Sequence, residues 1–166
     1  MIVIDSSSLI LLAKLSIMDR VINNLKEKAT ITSTILTECT AKKDAFDSKL
    51  IEKRVIEKKI RIKEVKKREW TIQKDFNLGK GEAEAVALCQ ENNCPLITDD
   101  RKAINTCKVL RINFTTVPNI LLEIHKKGLI NKEEAKAYIK RLKEIGRYTS
   151  ETLKKVEEDI EDAKNE

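Results

Sequence analysis

Two short apolar runs in this chain each end on acid. Ile2-Val3-Ile4 runs into Asp5, and Pro95-Leu96-Ile97-Thr98 runs into Asp99-Asp100. A short run without polar alternation reads as a strand buried on both faces. Such a strand needs helices over both faces, and the following segments supply them. Ser6, Ser7 and Ser8 offer N-caps to a helix carrying Leu9, Leu12 and Ala13. Ile17, Val21 and Leu25 repeat every fourth residue in a second helix. Strand-like runs recur at 29–32, 60–62 and 112–114. Helices are expected from 33, over 44–58 on Phe46, Leu50 and Val55, over 82–92, over about 101–108, and from Thr116 to a Gly128 cap. This alternation predicts an α/β fold with a central parallel sheet between helical layers.

Two further helices are expected. Asn131 and Glu134 make a capping-box-like start for one, which Gly146 ends. The other begins at Ser150 and carries Leu153, Val156, Ile160 and Ala163 in a narrow stripe. The expected organisation is a domain over 1–130 and a helical extension over 131–166, packed on that domain or on a partner chain.

Composition narrows the chemistry. There is one histidine, His125, which excludes a multi-histidine zinc site. The four cysteines, Cys39, Cys89, Cys94 and Cys107, show no CxxC spacing and read as reduced cytosolic thiols. Cys89 and Cys94 lack the partners a metal site would need. The N-terminus has no basic region before its apolar run, so it reads as no signal peptide, and no run of apolar residues is long enough to span a membrane. The expected location is the cytoplasm.

In a parallel α/β sheet, ligands bind beyond the carboxyl ends of the strands. Asp5 and Asp99-Asp100 fall there, and Glu38 and Glu82 stand early in helices that follow strands or loops. Carboxylates without a histidine or cysteine pair suit a hard cation, Mg²⁺ or Mn²⁺, and a carboxylate-held metal suits phosphodiester hydrolysis. The competing reading is structural. Asp5, Asp99 and Asp100 are also good N-caps, and Glu38 and Glu82 are acids favoured by a helix dipole. Two acids near 82 compete for the inward position. Glu82 is followed by the apolar stripe Ala85, Val86 and Cys89, whereas the stripe after Glu84 ends in Glu91. On that pattern Glu82 faces the rim and Glu84 the shoulder.

These segments resemble the PIN domain family, and within it the VapC-like nucleases. IVIDSSSLILLAKL, ITSTILTEC and LGKGEAEAVALCQENNCPLITDD are similar to the family's acid-bearing segments, and VPNILLEIHKKGLINKEEAKAYIKRLKEIGRYTSETL is similar to the C-terminal region of one subgroup. The resemblance implies a three-layer α/β/α PIN-like domain with extra C-terminal helices, acting as a Mg²⁺- or Mn²⁺-dependent endoribonuclease with 5′-phosphate and 3′-hydroxyl products. It implies a catalytic set of Asp5, Glu38, Glu82 and Asp100, with Ser7 and Thr98 orienting ligands. The metal would be held by Asp5, Glu82 and Asp100. Ala103 and Ile104 occupy the region where the family commonly has a further acid, and Asp99 is placed to compensate. The implied partners are RNA, an antitoxin whose tail enters the cleft, and a second copy in a homodimer. A housekeeping RNA-processing nuclease, or an RNA- or protein-binding module without catalysis, are the alternatives.

Net charge is +6, and it has an address. Residues 42–75 hold 13 Lys/Arg against 7 Asp/Glu, a surplus equal to that of the whole chain. Lys42, Lys43, Lys53, Arg54, Lys66, Lys67 and Arg68 are the candidate contacts to an RNA backbone. The plainer alternative is a solvated helix face. Trp70, beside Ile72, reads as a packing anchor, and His125 as a surface residue near a helix C-terminus.

Overall fold

The computed structural model describes residues 1–66, 69–145 and 148–163. Five short strands form one parallel sheet: β1 (Ile2–Ile4), β2 (Ala29–Ile31), β3 (Arg61–Ile62), β4 (Leu96–Ile97) and β5 (Phe114–Thr115). Their order is β3-β2-β1-β4-β5. The chain moves outward from β1 to β3, then returns to the other side of β1 for β4 and β5. The switch point of the sheet is therefore the gap between β1 and β4, where Val3 pairs with Leu96 and Ile4 with Ile97.

The connecting helices are α1 (Ser6–Lys14), α2 (Met18–Asn24), α3 (Ser33–Cys39), α4 (Phe46–Ile56), α5 (Glu69–Phe76), α6 (Lys80–Asn92) and α7 (Arg101–Leu110). Val3, Ile4, Ile31, Leu96 and Ile97 of the sheet are fully buried, as are Leu9, Leu12, Ile35 and Leu88 of the helices. Burying each such side chain contributes about 1.5–3 kcal/mol. α6 is buried from Ala83 to Cys89 on every side, and its alanines let α3, α5, α7 and β1 all approach it.

The chain divides into two units, Met1–Thr116 and Val117–Glu166. The second holds α8 (Val117–Lys126), α9 (Lys132–Ile145) and α10 (Ser150–Asp162). In this unit α8 groups with the C-terminal helices. The three pack on one another through Leu121 and Ile124, Ala135, Ile139 and Leu142, and Leu153, Val156 and Ile160. Asn131 and Glu134 form the expected reciprocal cap, with Asn131 N donating to Glu134 at 2.9 Å and Glu134 N to Asn131 at 2.8 Å. Gly128 takes φ +67, which favours glycine, and closes α8.

Several local expectations are corrected. α4 buries Ser48 and Ile51 and leaves Phe46 65% exposed. Ser48 displaces an apolar residue there because its hydroxyl donates to Cys39 O at 2.9 Å. Trp70 is 69% exposed, with the Lys74 ammonium 5.4 Å from its ring centre, and is no packing anchor. Ile72 takes the buried position of α5 instead. His125 is 1% exposed. Its Nδ1–H donates to Ile130 O at 3.1 Å, and Nε2 has no protein partner. β5 starts on the last residue of the expected run, α5 was not foreseen, and Gly146 lies outside the described residues.

Candidate active site

Asp5 leaves the carboxyl end of β1 and is 1% exposed. Its backbone N–H donates to Ile97 O at 3.0 Å, tying the residue to β4. Oδ1 accepts from Ser8 N at 2.7 Å and Ser7 Oγ at 3.2 Å, and Oδ2 accepts from Thr98 Oγ1. Of the two cap candidates offered by the sequence, Asp5 and the serines that follow it, Asp5 caps α1. None of these hydrogen-bond partners is a cation. Burial pushes the Asp5 carboxyl up to about 6, against the lowering effect of the Thr98 and Ser8 hydrogen bonds, and Asp99 raises it further.

Across the switch point, Thr98, Asp99 and Asp100 leave β4. Thr98 is fully buried and also accepts from Asp100 N at 3.2 Å. Ser8 Oγ donates to Asp99 Oδ2 at 2.8 Å. Asp100 caps α7 by accepting from Ala103 N at 2.8 Å. One short network thus joins Asp5, Asp99 and Asp100 through Ser8 and Thr98.

Glu38 reaches the same rim from α3. Its neighbour Cys39 donates to Ser6 O at 3.7 Å, beside Asp5. The Glu38 carboxylate is exposed and lies directly over Gly81, where an added Cβ would stand 2.5 Å from Oε2. Glu82 behaves differently. It is half-buried and turns back to accept from Gly79 N at 2.8 Å, the one half of a capping box that a glycine N-cap allows. Glu84 is the buried acid of this helix, at 7% exposure. Thr34 Oγ1 donates to its Oε1 at 2.8 Å, Lys80 Nζ lies 3.9 Å away, and Oε2 has no protein partner. The stripe rule placed these two acids the other way round. It failed because α6 is covered on nearly every side, so no single face is the inner one.

Among the basic candidates, Lys42, Lys43, Lys53 and Lys66 are exposed. Arg54 is not a free cation. Its guanidinium binds Asp19 bidentately and Glu57 at 3.0 Å. Lys67 and Arg68 lie outside the described residues. Ser8, Thr34 and Glu84 were missed by the sequence reading. Ser8 had a signal, its position three residues after a capping acid.

The family model for DUF3368, described as a PIN domain, matches residues 1–160. The chain belongs to the PIN domain family. A PilT N-terminus domain protein from the hyperthermophilic archaeon Sulfolobus solfataricus P2 has a similar structure, with a TM-score of 0.50 and 22% identity over 74% of this chain and 91% of that one. At that identity the likeness speaks for the fold. No curated protein matches the chain in sequence. Membership makes this a nuclease-type fold, in which a divalent metal is usual.

Whether these residues suit such a metal is a matter of donors and of placement. The donors are all carboxylate oxygens, the kind Mg²⁺ and Mn²⁺ prefer. Asp5 is a buried carboxylate whose raised pKa a cation would bring back down. In chemistry the set fits. In placement, no three His, Cys, Asp or Glu side chains among the described residues are grouped to hold one ion.

Proposed function

We propose that this PIN domain is a Mg²⁺- or Mn²⁺-dependent endoribonuclease, the toxin half of a toxin–antitoxin pair. The observation that carries this reading is the buried Asp5 carboxylate at the switch point, joined through Thr98 and Ser8 to Asp99 and Asp100. Asp5, Glu82 and Asp100, with Asp99, are the carboxylates that would have to draw together to hold the cation. A divalent ion bound there would supply positive charge to the phosphate oxygens and make a nearby water more acidic. The chain's own residues do the rest. Thr98 and Ser8 hold Asp5 in one orientation. Glu38, exposed above Gly81, is the carboxylate open to take a proton from the attacking water at Oε1 or Oε2. Exposed Lys42, Lys43, Lys53 and Lys66 offer charge to the RNA backbone. The antitoxin and a homodimer belong to the same reading.

Asp5→Asn tests it. Asparagine caps a helix as well as aspartate, and its amide can face Thr98 with the hydroxyl now accepting. The expected result is loss of Mn²⁺-dependent cleavage of a labelled RNA with an unchanged circular dichroism spectrum. Cleavage at the wild-type rate would defeat the proposal.

The separation of the acids favours one second reading, a PIN fold that binds RNA or a protein without cutting it. Titration with millimolar Mn²⁺ separates the two. A calorimetric signal and a raised melting temperature support the nuclease, and neither change supports the binding module.

A further inference from the structure

At the end of β4 opposite the acid rim, two thiols meet. α6 ends at Asn92, and Asn93 adopts the left-handed conformation with φ 48. Cys94 N then donates to Cys89 O at 3.2 Å. This helix-ending turn folds the chain back over the last turn of α6. It brings Cys94 back beside Cys89, so that both side chains face the same pocket. Both are free thiols and both are buried, Cys94 at 8% exposure and Cys89 at 1%, so Cys94 is the more accessible. Both line a surface pocket of about 110 Å³, together with Gln90, Arg111 and Asn113.

The electrostatics agree with the geometry. The neighbouring Cys89 thiol, aided by the amino-terminal ammonium and Lys63, lowers the Cys94 thiol below its ordinary value, against the opposing effects of burial and Glu27. Cys89 is pushed up, first by the neighbouring Cys94 and then by burial. Of the two, Cys94 is the sulfur that gives up its proton first. The other two cysteines differ. Burial pushes Cys39 up to about 12 and Cys107 up to about 11.

We propose that Cys89 and Cys94 form a reactive dithiol, a modification site for low-molecular-weight disulfides that closes into a Cys89–Cys94 disulfide. The Cys94 thiolate attacks one sulfur of a small disulfide RSSR, forming a mixed disulfide and releasing RS⁻. Cys89 then loses its proton and attacks the Cys94 sulfur, expelling the second RS⁻. The protein thiols lose two electrons, RSSR gains them, and protons return to the two thiolates to give two RSH. This site is independent of the carboxylate rim.

The test uses the intact chain, treated with oxidised glutathione at pH 7 and mapped by mass spectrometry. Trypsin releases both cysteines in the peptide 81–101. That peptide is expected to be lighter by two hydrogens, and its halves to stay joined after cleavage at Glu91. Cys39 and Cys107 are expected to remain thiols, and Cys94 to be alkylated by iodoacetamide at least about tenfold faster than either. In Cys89→Ser the reaction is expected to stop at a glutathione adduct on Cys94. Two free thiols in the treated peptide, no adduct in the variant, or equal alkylation of all four cysteines would overturn the proposal.

Discussion

Gly81 and Glu38 show how finely the rim is set at the level of single residues. A Cβ on Gly81 would stand 2.5 Å from Oε2 and 2.6 Å from Oε1 of Glu38, so the carboxylate must move if residue 81 carries a side chain. Alanine is otherwise the better helix residue, by up to about 1 kcal/mol. Gly81→Ala should therefore melt within a few degrees of wild type while RNA cleavage falls at least about tenfold in single-turnover assays. Cleavage at full rate would show that the Glu38 position does not matter. Asp5 makes the complementary case. Its carboxylate is buried without a cation among its hydrogen-bond partners, which costs free energy in metal-free buffer. Asp5→Asn should then gain about 1–2 kcal/mol in denaturant titrations at neutral pH, and added Mn²⁺ should shrink that gain by stabilising wild type alone. Asp5 and Asp100 were legible as acids at strand ends. Glu84 was not, because its burial depends on Thr34, a residue fifty positions away that no pattern on α6 contains.

Arg54 carries the lesson at the level of elements. By position it belongs to a basic run, yet it ties α4 to α2 through Asp19. Its hydrogen bonds hold the Asp19 carboxyl below its usual value. An acid depressed in the folded state contributes stability that is complete above the ordinary carboxylate range and lost as pH falls through the folded value. Asp19 is 40% exposed, so the contribution is that of a surface pair, up to about 1 kcal/mol. Asp19→Asn should lower stability at pH 7 by that amount and make no difference near pH 2, which urea titrations at both pH values would check. The same segment explains why residues 42–58 were only partly legible. A helix was expected and found, but its apolar stripe pointed to Phe46, whereas burial fell on Ser48 and Ile51.

For the whole molecule, the surplus of charge lies in one stretch while the proposed chemistry lies in an acidic network. Lys42, Lys43 and Lys53 are exposed members of that stretch, the first two between α3 and α4 and the third on α4. Replacing all three with glutamine should weaken RNA binding nearly uniformly across sequences. It should also flatten the dependence of log affinity on log salt by up to about 2 units for single-stranded RNA. An unchanged salt slope in filter-binding assays would place the RNA elsewhere. No helix among the described residues is long and apolar enough to cross a membrane.

The sequence by itself determined the alternation of strand and helix, and with it the parallel sheet, because buried strands and capped helices are written in runs of neighbouring residues. It also determined which acids stand at strand ends. The strand order, and the switch point between β1 and β4, depend on which segments return to which edge. The choice of Glu84 over Glu82 as the buried acid, the burial of His125, the exposure of Trp70 and the meeting of Cys89 with Cys94 are likewise decisions of packing. Each depends on what covers a residue in space, and the covering groups lie on other elements or on turns whose backbone conformation no periodicity records.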